Sequence, residues 1–206
     1  MKNSRIKETL KDCIRNRNFM IGLIMILSVC IIAIFANEIS PYSYTKQAVG
    51  GRMASPSLKF FFGTDELGRD VFSRTVFGTR VALWVAFLGA VIQLVLGVTI
   101  GMICGFFGKW IDRSFSFLTD LTWCIPGTIL ALAVVTILGK GLTNTVIAIS
   151  LVSWASYARP VRAKTMSLKT MAFIETGRTF GESSMSLMFR YIFPNVVPSL
   201  IVMISM

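Results

Sequence analysis

The residues able to do chemistry in this chain fall in three polar stretches, and histidine is absent from the sequence. Without imidazole there is no histidine general base, no His-containing triad and no imidazole metal ligand. The four cysteines, Cys13, Cys30, Cys104 and Cys124, stand far apart, form no C-x-x-C pair and mostly sit inside apolar runs. They read as small packing residues rather than disulfides, nucleophiles or metal ligands. No G-x-x-x-x-G-K-[ST] loop occurs, since Gly139-Lys140-Gly141 lacks both the spacing and the preceding strand. The sequence therefore predicts no nucleotide hydrolysis by the chain itself, and no metal or bound cofactor.

The first polar stretch runs Gly63-Thr64-Asp65-Glu66-Leu67-Gly68-Arg69-Asp70. Its carboxylates suggest calcium, but the spacing is not that of an EF-hand loop, and Arg69 and Arg74 supply local partners. A folded turn held by local ion pairs is the favoured reading. The second is Asp120, the one ionisable residue that falls well inside an apolar run. A charge at membrane depth is by default a functional hypothesis. Asp120 also follows Arg113 by about two turns, which leaves structural pairing with a neighbouring base open beside a coupling role. The third stretch, 159–193 with Pro194 behind it, interrupts the apolar pattern for too long to be a simple helix connection. Met185, Met188, Phe189 and Ile192 fall at i, i+3, i+4 and i+7, the spacing of one apolar helix face. Gly181 can end the helix that carries Glu175, and Pro194 suits the first turn of the next. Two short helices joined by a glycine turn are expected there, offering a docking surface to a soluble partner.

The elements that must position these residues are apolar. Of the 206 residues 54% are hydrophobic and 15% are charged, and mean hydropathy is +0.68. The charged share is well below the roughly 25% of ordinary soluble domains. The net charge of +11 would suit a nucleic-acid binder only if the basic residues clustered on one polar surface; here they sit in short blocks between apolar runs, which excludes that class. Apolar runs predict membrane helices at 18–37, 81–108, near 114–138 with Asp120 close to its start, and 142–158, because about twenty helical residues cross a bilayer core of about 30 Å. Backbone groups in lipid must pair within their own segment, and nothing alternates like a barrel strand. The first run is too long for a signal-peptide core and lacks a small-residue cleavage site, so it reads as an uncleaved anchor.

The resulting division is a tail at 1–17, a first span at 18–37, an outer segment at 38–80, three spans within 81–158, a cytoplasmic loop at 159–193 and the start of a fifth span at 194–206. Basic residues set the orientation. With the N-terminus inside, the inner pieces hold fourteen Lys and Arg against seven in the outer ones, which favours a cytoplasmic N-terminus. Gly97, Gly101 and Gly105, four apart, form a small-residue stripe for close helix approach, either as static packing or as a sliding surface. Pro126 with Gly127 frees backbone carbonyls and permits a kink, either lining a pathway or as a plain packing bend.

At these residues the sequence resembles a permease subunit of an ABC importer, whose pattern is E-A-A, three residues, G, about ten residues and I-x-L-P. Glu175-Thr176-Gly177, Gly181 and Ile192-Phe193-Pro194 take those places. More narrowly, GTDELGRDVFSR (63–74), then Asp112, Asp120 and Pro126, then VSWASYARPVRAKTMSL (152–168) and YIFPNVVPSLIV (191–202) resemble the second permease subunit of the dipeptide, oligopeptide and nickel branch. The similarity extends from about Arg15 through nearly the whole chain.

The resemblance implies an all-α polytopic bundle of the type I importer fold in the inner membrane of a bacterium or archaeon. It implies as partners a homologous permease, two cytoplasmic ATPases that use the ATP, and an extracytoplasmic solute-binding protein, besides membrane lipid. It makes the loop around Glu175 to Gly181 the coupling helix seated in an ATPase. Peptides are the first expectation for the cargo, with nickel or a metal chelate second. Two departures stand out: Thr176 and Gly177 replace the usual alanines and are poorer helix formers, and the chain holds four full spans and part of a fifth where the family has six. A truncated permease is the expectation that follows, with a non-transporting membrane fragment as the alternative.

Overall fold

The computed structural model describes residues 15–205. The expected tail falls mostly outside them, as does Cys13. The described residues form two compact units, 15–84 and 85–205, and helix is the one regular element in both.

The first unit opens with α1, Arg17–Ile34. Asn16 caps it, its side-chain oxygen accepting from the Asn18 and Phe19 amides at 3.0 and 3.3 Å, and its apolar side chains are mostly exposed, as lipid contact requires. A single turn, α2 (Ala36–Ile39), follows. Arg80 donates to the Ala33 and Ile34 carbonyls at the end of α1, satisfying acceptors that the helix cannot satisfy itself. The 40–70 loop folds back on itself through main-chain bonds from Ala48 to Leu67, Val49 to Gly68 and Met53 to Asp65, at 3.0 to 3.1 Å. α3, Val71–Phe107, begins in this unit, ten residues ahead of the expected start at Val81. Asp70 supplies the reason, since its carboxylate accepts the Ser73 amide at 2.8 Å and caps the earlier turn.

The second unit is built around α6, Leu142–Lys169. Trp154, Ala155, Ala158, Val161, Thr165 and Leu168 are all buried along it. The helix was expected to end at Ala158 and instead runs through Pro160 for eleven more residues. By length and apolarity three helices among the described residues can cross a membrane, or four if a bent pair counts as one, and α6 is not among them. Its buried residues face the rest of the unit, while Leu142, Ile149, Leu151 and Met166 stay exposed.

The run expected as one span near 114–138 is that bent pair. α4, Lys109–Cys124, and α5, Gly127–Leu138, meet at 99°. Ile125 is driven to extended geometry (φ −101°, ψ 131°) by the proline after it, so the kink that Pro126 permits has become a break.

The last helix, α8, also differs from expectation. It starts as Ser184–Ser186, passes through a π-helical stretch at Leu187–Ile192 and continues as Phe193–Ser205. The second surface helix and the start of the fifth span are thus one element, with an apolar stretch of 21 residues, Ser184–Ile204, long enough to cross. The π turn makes this continuity possible. Pro194 has no N–H to give the Arg190 carbonyl, and the wider turn, in which the Phe193 amide bonds Met188, absorbs that loss.

Candidate functional site

The docking surface expected around Glu175 is a short helix, α7, Ala172–Thr179. It ends as the sequence predicts: Gly181 adopts φ 80°, its amide bonds the Arg178 carbonyl at 2.9 Å, and the Glu182 amide reaches the Gly177 carbonyl at 3.0 Å. That pair of bonds is a Schellman cap, which needs a left-handed residue where Gly181 stands. No atom lies within 4 Å of a side chain added at Gly181, so the requirement there is conformational.

α7 has two faces. Ile174 and Gly177 are buried, while Glu175, Thr176 and Phe180 point away from the core; Phe180 is 83% exposed, and the exposed Arg178 turns its guanidinium to the Phe106 ring, 5.4 Å from its centre. The inner face rests in a core of Met102, Phe106, Val161, Leu168, Leu187, Met188 and Ile192. A Cβ at Gly177 would stand 2.7 Å from Leu187 Cδ2. Gly177, in the place of an alanine, therefore buys closer seating of α7 on α8. Ile192 belongs to this core, and Pro194 is exposed farther along α8. Of the six residues expected together at the loop, Glu175 and Thr176 share the outer face, Gly177 and Ile192 support it from beneath, Gly181 ends it, and Pro194 takes no part.

Three further residues hold the turn, and the sequence pattern did not single them out. Glu182 accepts from Ser186 Oγ and Tyr191 Oη, each at 2.7 Å. These bonds hold the Glu182 carboxyl below its usual range. Their legible signal is spacing, since Ser186 and Tyr191 lie four and nine positions beyond the glutamate.

Asp120 is paired. Arg159 on α6 donates to it, and the same guanidinium lies 4.5 Å from the Trp123 ring centre. Two turns earlier on α4, Asp112 accepts from Arg162 through both oxygens, with Nη2 to Oδ2 at 2.6 Å. A cavity of about 460 Å³ lies beside these pairs, lined by Gly101, Cys104, Ser116, Thr119 and Ala158 among others. Against α6, the Gly97, Gly101 and Gly105 stripe of α3 allows backbone contact. Added Cβ atoms would stand 2.9 Å from the Trp154 oxygen, 2.6 Å from the Ala158 oxygen and 2.7 Å from the Arg162 oxygen, respectively.

In the first unit, Asp65 organises its motif. Oδ1 accepts the Leu67 and Arg69 amides, both at 2.9 Å, and Oδ2 accepts Arg69 Nε at 2.7 Å and Arg74. Gly63 and Gly68 have φ of 72° and 67°, and a Cβ on either would strike a carbonyl. Burial works to raise the Asp65 carboxyl, but the Arg69 amide and guanidinium and the Leu67 amide outweigh it and hold it well below its ordinary value of 3.8. A depressed folded value means that the contribution is complete above the unfolded value and is lost as pH falls through the folded one. Protection of the Leu67 and Arg69 amides from exchange, corrected for intrinsic rate, is therefore expected to stay level from neutral pH down to about 4 and to fall below it. Asp65→Asn is expected to lower that protection at neutral pH; unchanged protection in the variant would remove Asp65 from its organising role. Among the described residues no group of three or more Cys, Asp or Glu could hold a metal ion.

Residues 97–206 match the family described as the binding-protein-dependent transport system inner membrane component. Residues 4–56 match the N-terminal TM domain of oligopeptide transport permease C. The chain is 38% identical over 196 residues to a dipeptide transport system permease protein of Alkalihalophilus pseudofirmus, covering 95% of this chain and 64% of the relative. Against a glutathione transport system permease protein of Pectobacterium atrosepticum it is 36% identical, with 90% and 62% covered. Against an oligopeptide transport system permease protein of Bacillus subtilis it is 34% identical, with 93% and 63% covered. The chain thus spans less than two thirds of the length of these relatives.

Proposed function

The chain belongs to the family of binding-protein-dependent transport system inner membrane components, and from that premise we propose that it serves as a membrane-embedded permease subunit of an ATP-driven importer for short peptides. It lines the pathway together with a homologous permease, receives cargo from an extracytoplasmic solute-binding protein, and is driven by two cytoplasmic ATPases that use the ATP. The chain itself binds no cofactor, and its N-terminus lies in the cytoplasm. Relatives whose names specify dipeptide, oligopeptide or glutathione transport favour peptides over nickel as the cargo.

The observation that carries the reading is α7. It is a helix of 8 residues, too short to be stable alone, seated from below by Ile174, Gly177 and Leu187 and presenting Glu175, Thr176 and Phe180 outward. A short exposed helix on a stiff mount suits a soluble partner that must push on it. In the assembled transporter, Glu175→Ala and Gly181→Asp are each expected to reduce copurification of the ATPases and to cut peptide uptake about tenfold, the equivalent of about 1.4 kcal/mol of docking free energy. Uptake-coupled ATP hydrolysis unchanged in both variants would remove α7 from this role.

A further inference from the structure

Two elbows bound α4. At its start the chain leaves α3 through Gly108 (φ 64°) and Lys109 (φ 51°), two successive residues in the region that glycine enters freely and lysine rarely. At its end, extended Ile125 and Pro126 break the helix. Between the elbows α4 buries only Thr119, so apolar packing does little to hold it. Two ion pairs to α6 take that part.

The pairs are unequal. Asp112–Arg162 uses both carboxylate oxygens and two guanidinium nitrogens, Nε and Nη2, and the Asp112 side chain is 17% exposed. Asp120–Arg159 is a single contact, with the Asp120 side chain 63% exposed. Water competes well for an exposed single-contact pair, whereas parting a shielded two-point pair strands charge out of water. The Arg159 guanidinium also has the Trp123 ring, 4.5 Å away, as a second partner, and the cavity that Thr119 lines adjoins the pair. α6 leads into α7 across Thr170 and Met171, with the Met171 amide bonded to Leu168 and the Ile174 amide to Met171.

We propose that α4 is a lever, with Asp112–Arg162 as its fixed pivot and Asp120–Arg159 as a rung that opens and closes during transport. In this scheme a push on α7 travels along α6, releases or remakes the outer pair, and swings the bend at Ile125–Pro126 that carries α5. Asp120 and Arg159 are positioning residues in this scheme and touch no cargo. The inference rests on the function proposed above, because it takes α7 as the input.

The test uses the assembled transporter with the native cysteines replaced by alanine. Thr119→Cys reports on the gap between α4 and α6 through its rate of reaction with a water-soluble maleimide, measured without nucleotide and with the ATPases trapped by a nucleotide analogue. The rate is expected to differ at least fivefold between the two states. In a second variant, Asp120→Cys with Arg159→Cys, a cleavable thiol cross-linker is expected to lower peptide uptake at least tenfold, with recovery on reduction. Equal labelling in the two states, or uptake at the unbridged rate while the bridge is intact, overturns the lever. A cysteine-free complex that keeps Asp120 and Arg159 and takes up no peptide refutes the function proposed above, and the Thr119→Cys comparison still decides for or against the lever.

Discussion

Gly101→Val is expected to prevent the second unit from packing, with little properly inserted chain recovered. A Cβ at this position would lie 2.6 Å from the Ala158 carbonyl oxygen and 2.9 Å from Val161 Cβ and Cγ1. Neither the backbone oxygen nor a Cβ can rotate away, so the helices must separate. Separation removes Met102, Phe106 and Val161 from the core that seats α7. Overpacking usually costs about 1–3 kcal/mol, and a clash against backbone belongs at the upper end. Lipid offers no hydrophobic penalty to force the helices back together, because association there depends on close packing. Gly97→Ala and Gly105→Ala are expected to act in the same direction less severely. Gly89→Ala is the control: its Cβ would find its nearest neighbour at an ordinary 3.7 Å, and helix propensity favours alanine by about 1 kcal/mol. Membrane yield and the thermal aggregation midpoint in detergent measure the series. If Gly101→Val melted with Gly89→Ala, the stripe would not be the packing surface described here.

Arg162→Ala is the second large effect. It leaves the Asp112 carboxylate, 17% exposed, without the guanidinium that engages both of its oxygens. Breaking a buried pair costs about 3–5 kcal/mol, and exposed pairs contribute about 0–1 kcal/mol. With Arg162 34% exposed, the intermediate figure of about 2 kcal/mol applies, read as a lower melting midpoint. Arg159→Ala is expected to cost less than half as much, because its partner is exposed. Pairing Arg162→Met with Asp112→Leu should restore most of the lost stability, since apolar replacement of both partners leaves no stranded charge. Equal destabilisation by Arg162→Ala and Arg159→Ala would contradict the unequal roles assigned to the two pairs.

Much of this was legible in the sequence, for identifiable reasons. Gly181 was readable as a helix stop because a left-handed residue after an amphipathic turn has few substitutes. The Gly97, Gly101 and Gly105 stripe was readable because its period matches one helix face. Asp65 with Arg69 and Arg74 was readable as a local turn because all three lie within ten residues. Boundaries were less legible. α3 starts at Val71 because Asp70 caps it, and charge counting placed the start after Arg80. Pro194 reads as a helix start in isolation, yet α8 passes through it because a π turn absorbs the missing bond.

The sequence by itself determined the class of the molecule, the apolar helices, the glycine stripe and the short helix that carries Glu175 and stops at Gly181, since each is a local pattern with a local cause. Only the tertiary structure decided which helix the stripe meets, which face of α6 is buried, that Gly177 sits beneath Leu187, and that Asp112 and Asp120 find Arg162 and Arg159. Those partners lie 50 and 39 residues away. No periodicity links residues at such separations, and their pairing exists because the bend after Cys124 and the turn at 139–141 together bring α6 beside α4.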